Sequence, residues 1–242
     1  MLSTIDGFFL PFKGLRLILR PGLRRFVIVP MLANLLIFAG LAYLSAHYFG
    51  TFMDQWVPSN GWLEFLRPVL WLLFALIYAL AMFYGFTLIA NLIAAPFNGM
   101  LAAKVEEMLS GRPPSDADES VLQAIGPAIS GEIGKILYFV SRAVPLLILM
   151  LIPGVNVIAS IGWILFGFWF LAIEYADYPM GNHAIGPKQQ RGRLRGKRFK
   201  SLAFGAGVTV LMLIPFVQFA AMPAAVAGAA KFWVDDLADS GT

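Results

Sequence analysis

Four long uncharged runs separated by shorter polar segments set the pattern of this 242-residue chain. Phe26 to Met53 gives 28 consecutive residues without Lys, Arg, Asp or Glu, Pro68 to Ala103 gives 36, Ala143 to Ile173 gives 31 and Ser201 to Ala230 gives 30. About 20 apolar residues cross a hydrocarbon core of about 30 Å, so the first run predicts a transmembrane helix, with Pro30 near its start where proline is tolerated. The second run would rise about 54 Å as one helix, so it must tilt, break or extend past the membrane. Pro96 marks its expected bend. Ahead of the first run, apolar Phe8, Phe12, Leu15 and Leu19 recur at helical spacing, with Lys13 and Arg16 between them and Arg20, Arg24 and Arg25 following. This predicts an amphipathic basic helix over 1–25.

The third and fourth runs decide the architecture. Pro153-Gly154 divides the third into pieces of 10 and 19 residues, and ten helical residues reach only about 15 Å. Pro215 breaks the fourth, and a second break is expected near Pro223. Each run reads as one kinked helix or as a re-entrant hairpin that dips into the membrane and returns. Charge separates the two readings. The segment 174–200 carries seven basic residues in the thirteen positions from Lys188 to Lys200. Four simple crossings from a cytoplasmic N-terminus would put that cluster outside, against the positive-inside rule. A third run that turns back at Pro153-Gly154 keeps the N-terminus, the polar helices of 104–142 and the cluster on one side, leaving Arg67 in the external loop. The chain is then a single membrane domain with helices over 26–53 and 68–103 and hairpins over 143–173 and 201–234. Broken helices at membrane depth tend to line cavities, which points to transport.

Composition agrees with the pattern. Hydrophobic residues make up 59% of the chain and charged ones 13%, against about 25% charged in soluble domains. This is the composition of a membrane protein. The net charge of +4 could suit nucleic acid, but the basic residues lie in clusters between apolar runs and face a membrane surface or an anion instead. The absence of cysteine excludes a disulfide framework, a thiolate nucleophile and a zinc site built on sulfur. The sequence holds no Walker A loop, dinucleotide fingerprint, HExxH or GxSxG, and neither of its two histidines has a metal-ligand partner at useful spacing. No enzyme, cofactor or metal is expected, and no ATP coupling within this chain. Met1 to Leu19 contains Asp6 and lacks a sustained apolar core, so it does not read as a cleavable signal peptide.

Candidate chemistry concentrates at Arg20-Pro21-Gly22-Leu23-Arg24-Arg25. A helix opening at Pro21 would present the N–H groups of Gly22, Leu23 and Arg24, the positive end of the helix dipole, and the guanidinium groups of Arg20, Arg24 and Arg25. That describes an anion site. Arginines beside a span also set topology and meet lipid headgroups. Asn91 and Asn98 either bond to neighbouring helices or line a polar path. Adjacent Glu106 and Glu107 diverge by about 100° on a helix, so salt bridges to the N-terminal arginines or Arg112 are expected in place of paired acid/base chemistry. The stretch Asp177 to His183 reads as a helix end. Pro58, Asn60 and Gly61 carry turn chemistry, as do Gly111, Pro113, Pro114 and Ser115. Tyr48, Trp56 and Trp62 fit an aromatic belt.

Several motifs in order resemble the CysZ sulfate transporters of bacterial inner membranes. They are Pro21-Gly22-Leu23-Arg24-Arg25-Phe26-Val27-Ile28-Val29-Pro30, Ile93-Ala94-Ala95-Pro96-Phe97-Asn98-Gly99, Asp177-Tyr178-Pro179 with Asn182-His183, and Met222-Pro223 with Trp233-Val234-Asp235. The resemblance implies sulfate uptake for cysteine biosynthesis and a multi-pass inner-membrane location. It implies an all-α integral membrane fold of two long transmembrane helices and two pairs of partly penetrating helices, assembled as a homo-oligomer. It assigns sulfate binding to Gly22, Leu23, Arg24 and Arg25, and makes Glu106 and Glu107 the match to charged residues after the second span. Sulfite and other oxyanions share the same chemistry. A second Gly-Leu-Arg at Gly14 to Arg16 follows no proline and belongs to the amphipathic helix. The alternative from a different class is a non-transporting membrane scaffold that holds anionic lipid through Arg20–Arg25 and Lys188–Lys200.

Overall fold

Proline and glycine decide where most helices stop. The structure, a computed structural model, describes residues 2–57, 64–114 and 121–238, and their side chains apart from those of residues 2–3, 83–84, 86–93 and 121–132. Among the described residues every regular element is helical: α1 (Leu2–Ile18), α2 (Arg25–Trp56), α3 (Leu66–Ser110), α4 (Val121–Met150), α5 (Asn156–Gly181), α6 (Pro187–Gly196), α7 (Arg198–Leu213) and α8 (Gln218–Phe232), followed by a π-helical turn at Trp233–Leu237. The expected turn at Pro58, Asn60 and Gly61, the belt residue Trp62, Ser115 and the side chain of Asn91 lie outside the described residues.

Two breaks use the same device. Leu23 N–H donates to the Arg20 carbonyl at 3.2 Å with Gly22 at φ 91°, and Val155 N–H donates to the Ile152 carbonyl at 3.2 Å with Gly154 at φ 85°. Both are Pro-Gly turns of type II pattern, where the third residue needs a positive φ that glycine adopts without strain. The α7–α8 break is tighter: Val217 N–H reaches the Pro215 carbonyl at 2.8 Å and Phe216 takes φ 64°.

Two expectations are corrected. Pro223 does not break the chain; it lies inside α8. Pro96 lies within α3. The charge-free run understates α4, which starts far upstream and passes through Lys135 and Arg142. Lys135 is tolerated because its ammonium meets Asp177 at 2.9 Å and Glu174 at 3.5 Å on α5, which offsets the burial of its charge. By length and composition, Arg25–Trp56, Ile133–Met150 and Asn156–Gly181 are each long and apolar enough to cross a membrane. The most buried face of α1 is offset from the apolar spacing at 8, 12, 15 and 19: Leu19 is exposed and Phe8, Phe12 and Leu15 are half-buried, while Gly7, Leu10, Pro11, Gly14, Leu17 and Ile18 are buried. Backbone proximity, which needs small residues, selected that face. A Cβ on Gly14 would stand 2.0 Å from the Ala224 carbonyl oxygen of α8, and one on Gly207 of α7 would stand 2.1 Å from the Phe8 carbonyl oxygen. Small residues that let helices touch backbone to backbone are the usual glue between helices in lipid.

Packing divides the chain into two compact units, Met1–Val27 with Asn98–Thr242, and Ile28–Phe97. In the first, α1 packs against α7 and α8, and α5 against α4, α7 and α8, around a core that includes Leu10, Leu23, Leu101, Ile173, Phe204 and Phe232. In the second, Phe49 stacks on Phe74 at 4.1 Å and meets Trp71 edge-on at 4.9 Å, and Arg67 pairs with Asp54. Its outward side chains are apolar, with Leu36 71% and Leu72 72% exposed. A surface of that kind suits lipid.

Candidate anion site

The turn between α1 and α2 is held from below by Leu23, which is fully buried in the same cluster as Leu101 and Val105 of α3. Burying such a side chain stabilises by about 1.5–3 kcal/mol, enough to fix the register of the residues around it. Pro21, Gly22, Arg24 and Arg25 remain exposed, and nothing lies within 4 Å of where a Gly22 Cβ would stand. The space above the turn is open.

The donors divide unevenly. Leu23 N–H is consumed by the Arg20 carbonyl, which corrects the sequence-based picture of a free Leu23 donor: a type II turn spends the N–H of its fourth residue on closing itself. Among the described residues, the N–H groups of Gly22, Arg24 and Arg25 have no backbone acceptor, while Phe26 and Val27 N–H groups bond back to the Leu23 and Arg24 carbonyls at 3.1 and 3.0 Å. Arg24 Nε donates to the Leu19 carbonyl, which fixes the base of its guanidinium. Arg25 places its guanidinium 4.8 Å from the Phe26 ring centre. Arg20 turns away and reaches Met108 Sδ of α3 at 3.9 Å. The arrangement can hold an oxyanion by N–H groups at the start of α2, with the helix dipole and two charged side chains adding to the field.

The other candidates form a second polar cluster. Glu106 is 7% exposed, and its Oε1 lies 2.7 Å from His183 Nε2 and accepts from Trp233 Nε1 at 3.1 Å. The His183 and Trp233 rings are 4.9 Å apart, and Arg193 stacks over Trp233 at 5.1 Å while capping the Leu237 and Ala238 carbonyls at 2.7 and 2.9 Å. Glu107 instead pairs with Lys104 at 2.7 Å on its own helix. The expected salt bridges to the N-terminal arginines or Arg112 are therefore corrected: adjacent glutamates point apart, so Glu106 faces the core and Glu107 the outer surface. Asn98 is 3% exposed, and Asn182 Nδ2 donates to the neighbouring Gly99 carbonyl at 3.0 Å.

Sequence reasoning read Asp177 to His183 as a helix end and gave His183 and Trp233 no role. Their signal was chemical scarcity, since the chain has only two histidines, but nothing in spacing pairs residues 77 and 127 positions distant from Glu106. The motifs singled out along the chain thus meet in pairs: Gly99 with Asn182, and Glu106 with His183 and Trp233.

The family model described as sulfate transporter CysZ/etoposide-induced protein 2.4 matches residues 10–223. A sulfate transporter CysZ of Pseudomonas fluorescens (strain Pf0-1) is 46% identical over 92% of this chain and 90% of its own length. That of Pseudomonas aeruginosa (strain LESB58) is 45% identical over 92% of each. That of Pectobacterium atrosepticum is 38% identical over 96% of this chain and 86% of its own.

Proposed function

Given that this chain belongs to the sulfate transporter CysZ/etoposide-induced protein 2.4 family, we propose that it carries sulfate across the bacterial inner membrane for assimilation into cysteine. Sulfate is recognised at the α1–α2 turn by the N–H groups of Gly22, Arg24 and Arg25 and by the guanidinium groups of Arg24 and Arg25. Leu23 contributes as the buried anchor of the turn. The observation that carries this reading is the coincidence of bare N–H groups, a helix start and two exposed arginines above a turn pinned in the core. Backbone donors and exposed side chains bind without burying the ion, and a transport site must release what it binds.

The hairpins provide the membrane part of the reading. The turn between α4 and α5 is Leu151-Ile152-Pro153-Gly154-Val155, with Leu151 82% exposed, and Phe216 at the α7–α8 turn is 85% exposed. A loop emerging into water would carry polar residues; these tips carry none. Paired charges sit at the opposite ends, Lys135 with Asp177 on the first hairpin and Lys200 with Asp236 on the second, while Arg142 lies on α4 between Lys135 and the tip. At 16 and 15 residues, α7 and α8 rise only about 22–24 Å, short of the hydrocarbon thickness. The α7–α8 hairpin therefore enters from the side of the basic segment and ends within the bilayer. The helices α4 and α5 are long enough to cross, and it is their apolar tip together with the side kept by the basic segment that makes them turn back inside it, while α2 and α3 cross. Asn98 and Glu106 are buried on α3 and support the site from within the core, and homo-oligomers complete the assembly.

Labelled-sulfate flux into sealed liposomes containing the purified chain tests the proposal. The Arg24→Ala/Arg25→Ala variant is expected to lose about a hundredfold of the flux at subsaturating sulfate, because two charge-assisted contacts at about 1.5 kcal/mol each are removed. Unchanged flux in that variant sinks the site, and absence of flux from the unaltered protein sinks the transport reading.

A further inference from the structure

The basic segment from Lys188 to Lys200 does more than set topology. Where α6 gives way to α7, Arg195, Lys197, Arg198, Phe199, Lys200 and Asp236 line a cavity of about 440 Å³, with Thr4 of α1 at its edge. Four cations face one carboxylate there. Lys200 is already neutralised, by Asp236 and by Asp6 at 3.3 Å, and Lys197 stands 3.9 Å from Asp236. Arg195 and Arg198 are exposed and, among the described residues, have no carboxylate partner. The cavity thus carries a positive surplus that the protein leaves uncompensated.

Its rim is apolar. Phe199, in the first turn of α7, is 62% exposed with the Arg198 guanidinium 5.0 Å from its ring centre, and Ile5, next to Thr4, is 55% exposed. An inorganic anion has no use for bare aromatic and aliphatic groups at its binding site. An amphiphile with an anionic head and apolar tails uses both. We infer that this cavity binds the phosphate headgroup of an anionic phospholipid, with Arg195, Lys197 and Arg198 on the phosphate and Phe199 against the acyl chains. The inference rests on the proposed orientation of the α7–α8 hairpin, which puts Phe216 in the bilayer and so brings Arg198 to its surface. A lipid held there fixes the depth of α7, and through the α1–α7 contact at Gly207 and Phe8 it braces the helix that leads to the sulfate turn.

Native mass spectrometry of the full-length protein in detergent, titrated with phosphatidylglycerol or phosphatidylcholine, tests this. Phosphatidylglycerol is expected to bind in preference, and Arg195→Gln/Lys197→Gln/Arg198→Gln to weaken it about a hundredfold, at about fivefold per surface cation. The single exposed change Arg198→Gln should weaken it about fivefold and guards against misfolding of the triple variant. Phe199→Ser should weaken both lipids. Equal binding of the two lipids, equal binding to the variants, or displacement of phosphatidylglycerol by millimolar phosphate or sulfate overturns the inference. The Arg24→Ala/Arg25→Ala variant should keep its lipid preference, so failure of the sulfate site leaves this result intact. Hairpin depth is read separately by thiol labelling at Phe216→Cys.

Discussion

His183 Nε2 stands 2.7 Å from Glu106 Oε1, and through that contact the C-terminal end of α5 is tied to the far end of α3 across 77 positions of sequence. Trp233 Nε1 shares the same oxygen. Glu106 thus organises three segments that have no local reason to meet. Glu106→Ala strands the buried Trp233 donor and removes one contact of the His183 imidazole, and is expected to destabilise by about 2–3 kcal/mol. Glu106→Gln retains an acceptor and should lose about half as much. Thermal unfolding of the detergent-solubilised variants decides this, with Trp233→Phe as the partner in a double-mutant cycle. Additive losses from Glu106→Ala and Trp233→Phe would mean that the contact carries no coupling energy.

Gly14 offers a test of helix docking. Its missing Cβ admits the Ala224 carbonyl, which would otherwise be 2.0 Å away, and the obstacle is backbone that cannot rotate aside. Gly14→Ala should push α1 off α8 and destabilise by about 1–3 kcal/mol, despite the better helix propensity of alanine. Gly192→Ala on α6, where a Cβ meets nothing within 4 Å, should be neutral or stabilising by about 0.5–1 kcal/mol. The melting temperatures of the two variants should move in opposite directions. A matched shift would show that close approach at Gly14 has no energetic consequence.

Acid and alkali should each erode the first unit at the α1–α7 seam. The hydrogen bond from Lys13 holds the Asp6 carboxyl below its ordinary 3.8, against an opposing desolvation and with Lys200 adding to the effect. Burial works to lower Lys200, but Asp236 and then Asp6 outweigh it and hold the ammonium above 10.5. Asp6 therefore stabilises fully above its unfolded pKa and loses that contribution as pH falls through the depressed folded value. Lys200 stabilises fully below 10.5 and loses its contribution as pH rises through the raised folded value. Melting temperature should plateau across neutral pH and fall at both ends. Asp6→Asn should melt lower than the unaltered chain at pH 7 and converge with it as pH falls through the depressed folded value. An undiminished gap in acid would rule out the carboxylate as its cause.

The natural absence of cysteine makes the hairpin tips easy to probe. Leu151→Cys and Phe216→Cys introduce single thiols at the exposed apolar turns, and Arg195→Cys introduces one in the basic segment. A charged maleimide applied to spheroplasts should leave both tips unlabelled, and after lysis it should label only Arg195→Cys quickly. Thiols inside hydrocarbon stay protonated and out of reach of a charged reagent. Rapid labelling of Leu151→Cys in intact spheroplasts would mean that α4 and α5 cross completely.

Much of the architecture could be read from the chain because it follows from local rules. A run of 28 uncharged residues leaves no alternative to a long apolar helix, and Pro-Gly at 153–154 encodes a break by backbone preference alone; Pro21, expected to open a helix, instead sits in the turn ahead of α2, which starts at Arg25. The exposed arginines 24 and 25 were legible for the same reason, since they flank a helix start. Other features were decided only by packing. The face of α1 was set by the backbone carbonyls of α7 and α8, which a hydrophobicity pattern does not contain. Pro223 stayed helical because α8 is buried over most of its length. Leu23 lost its donor to the turn it helps close. The partners of Glu106 came from α5 and the C-terminal turn, because a buried carboxylate takes whichever donors the fold brings within 3 Å, and only the tertiary structure decides which those are.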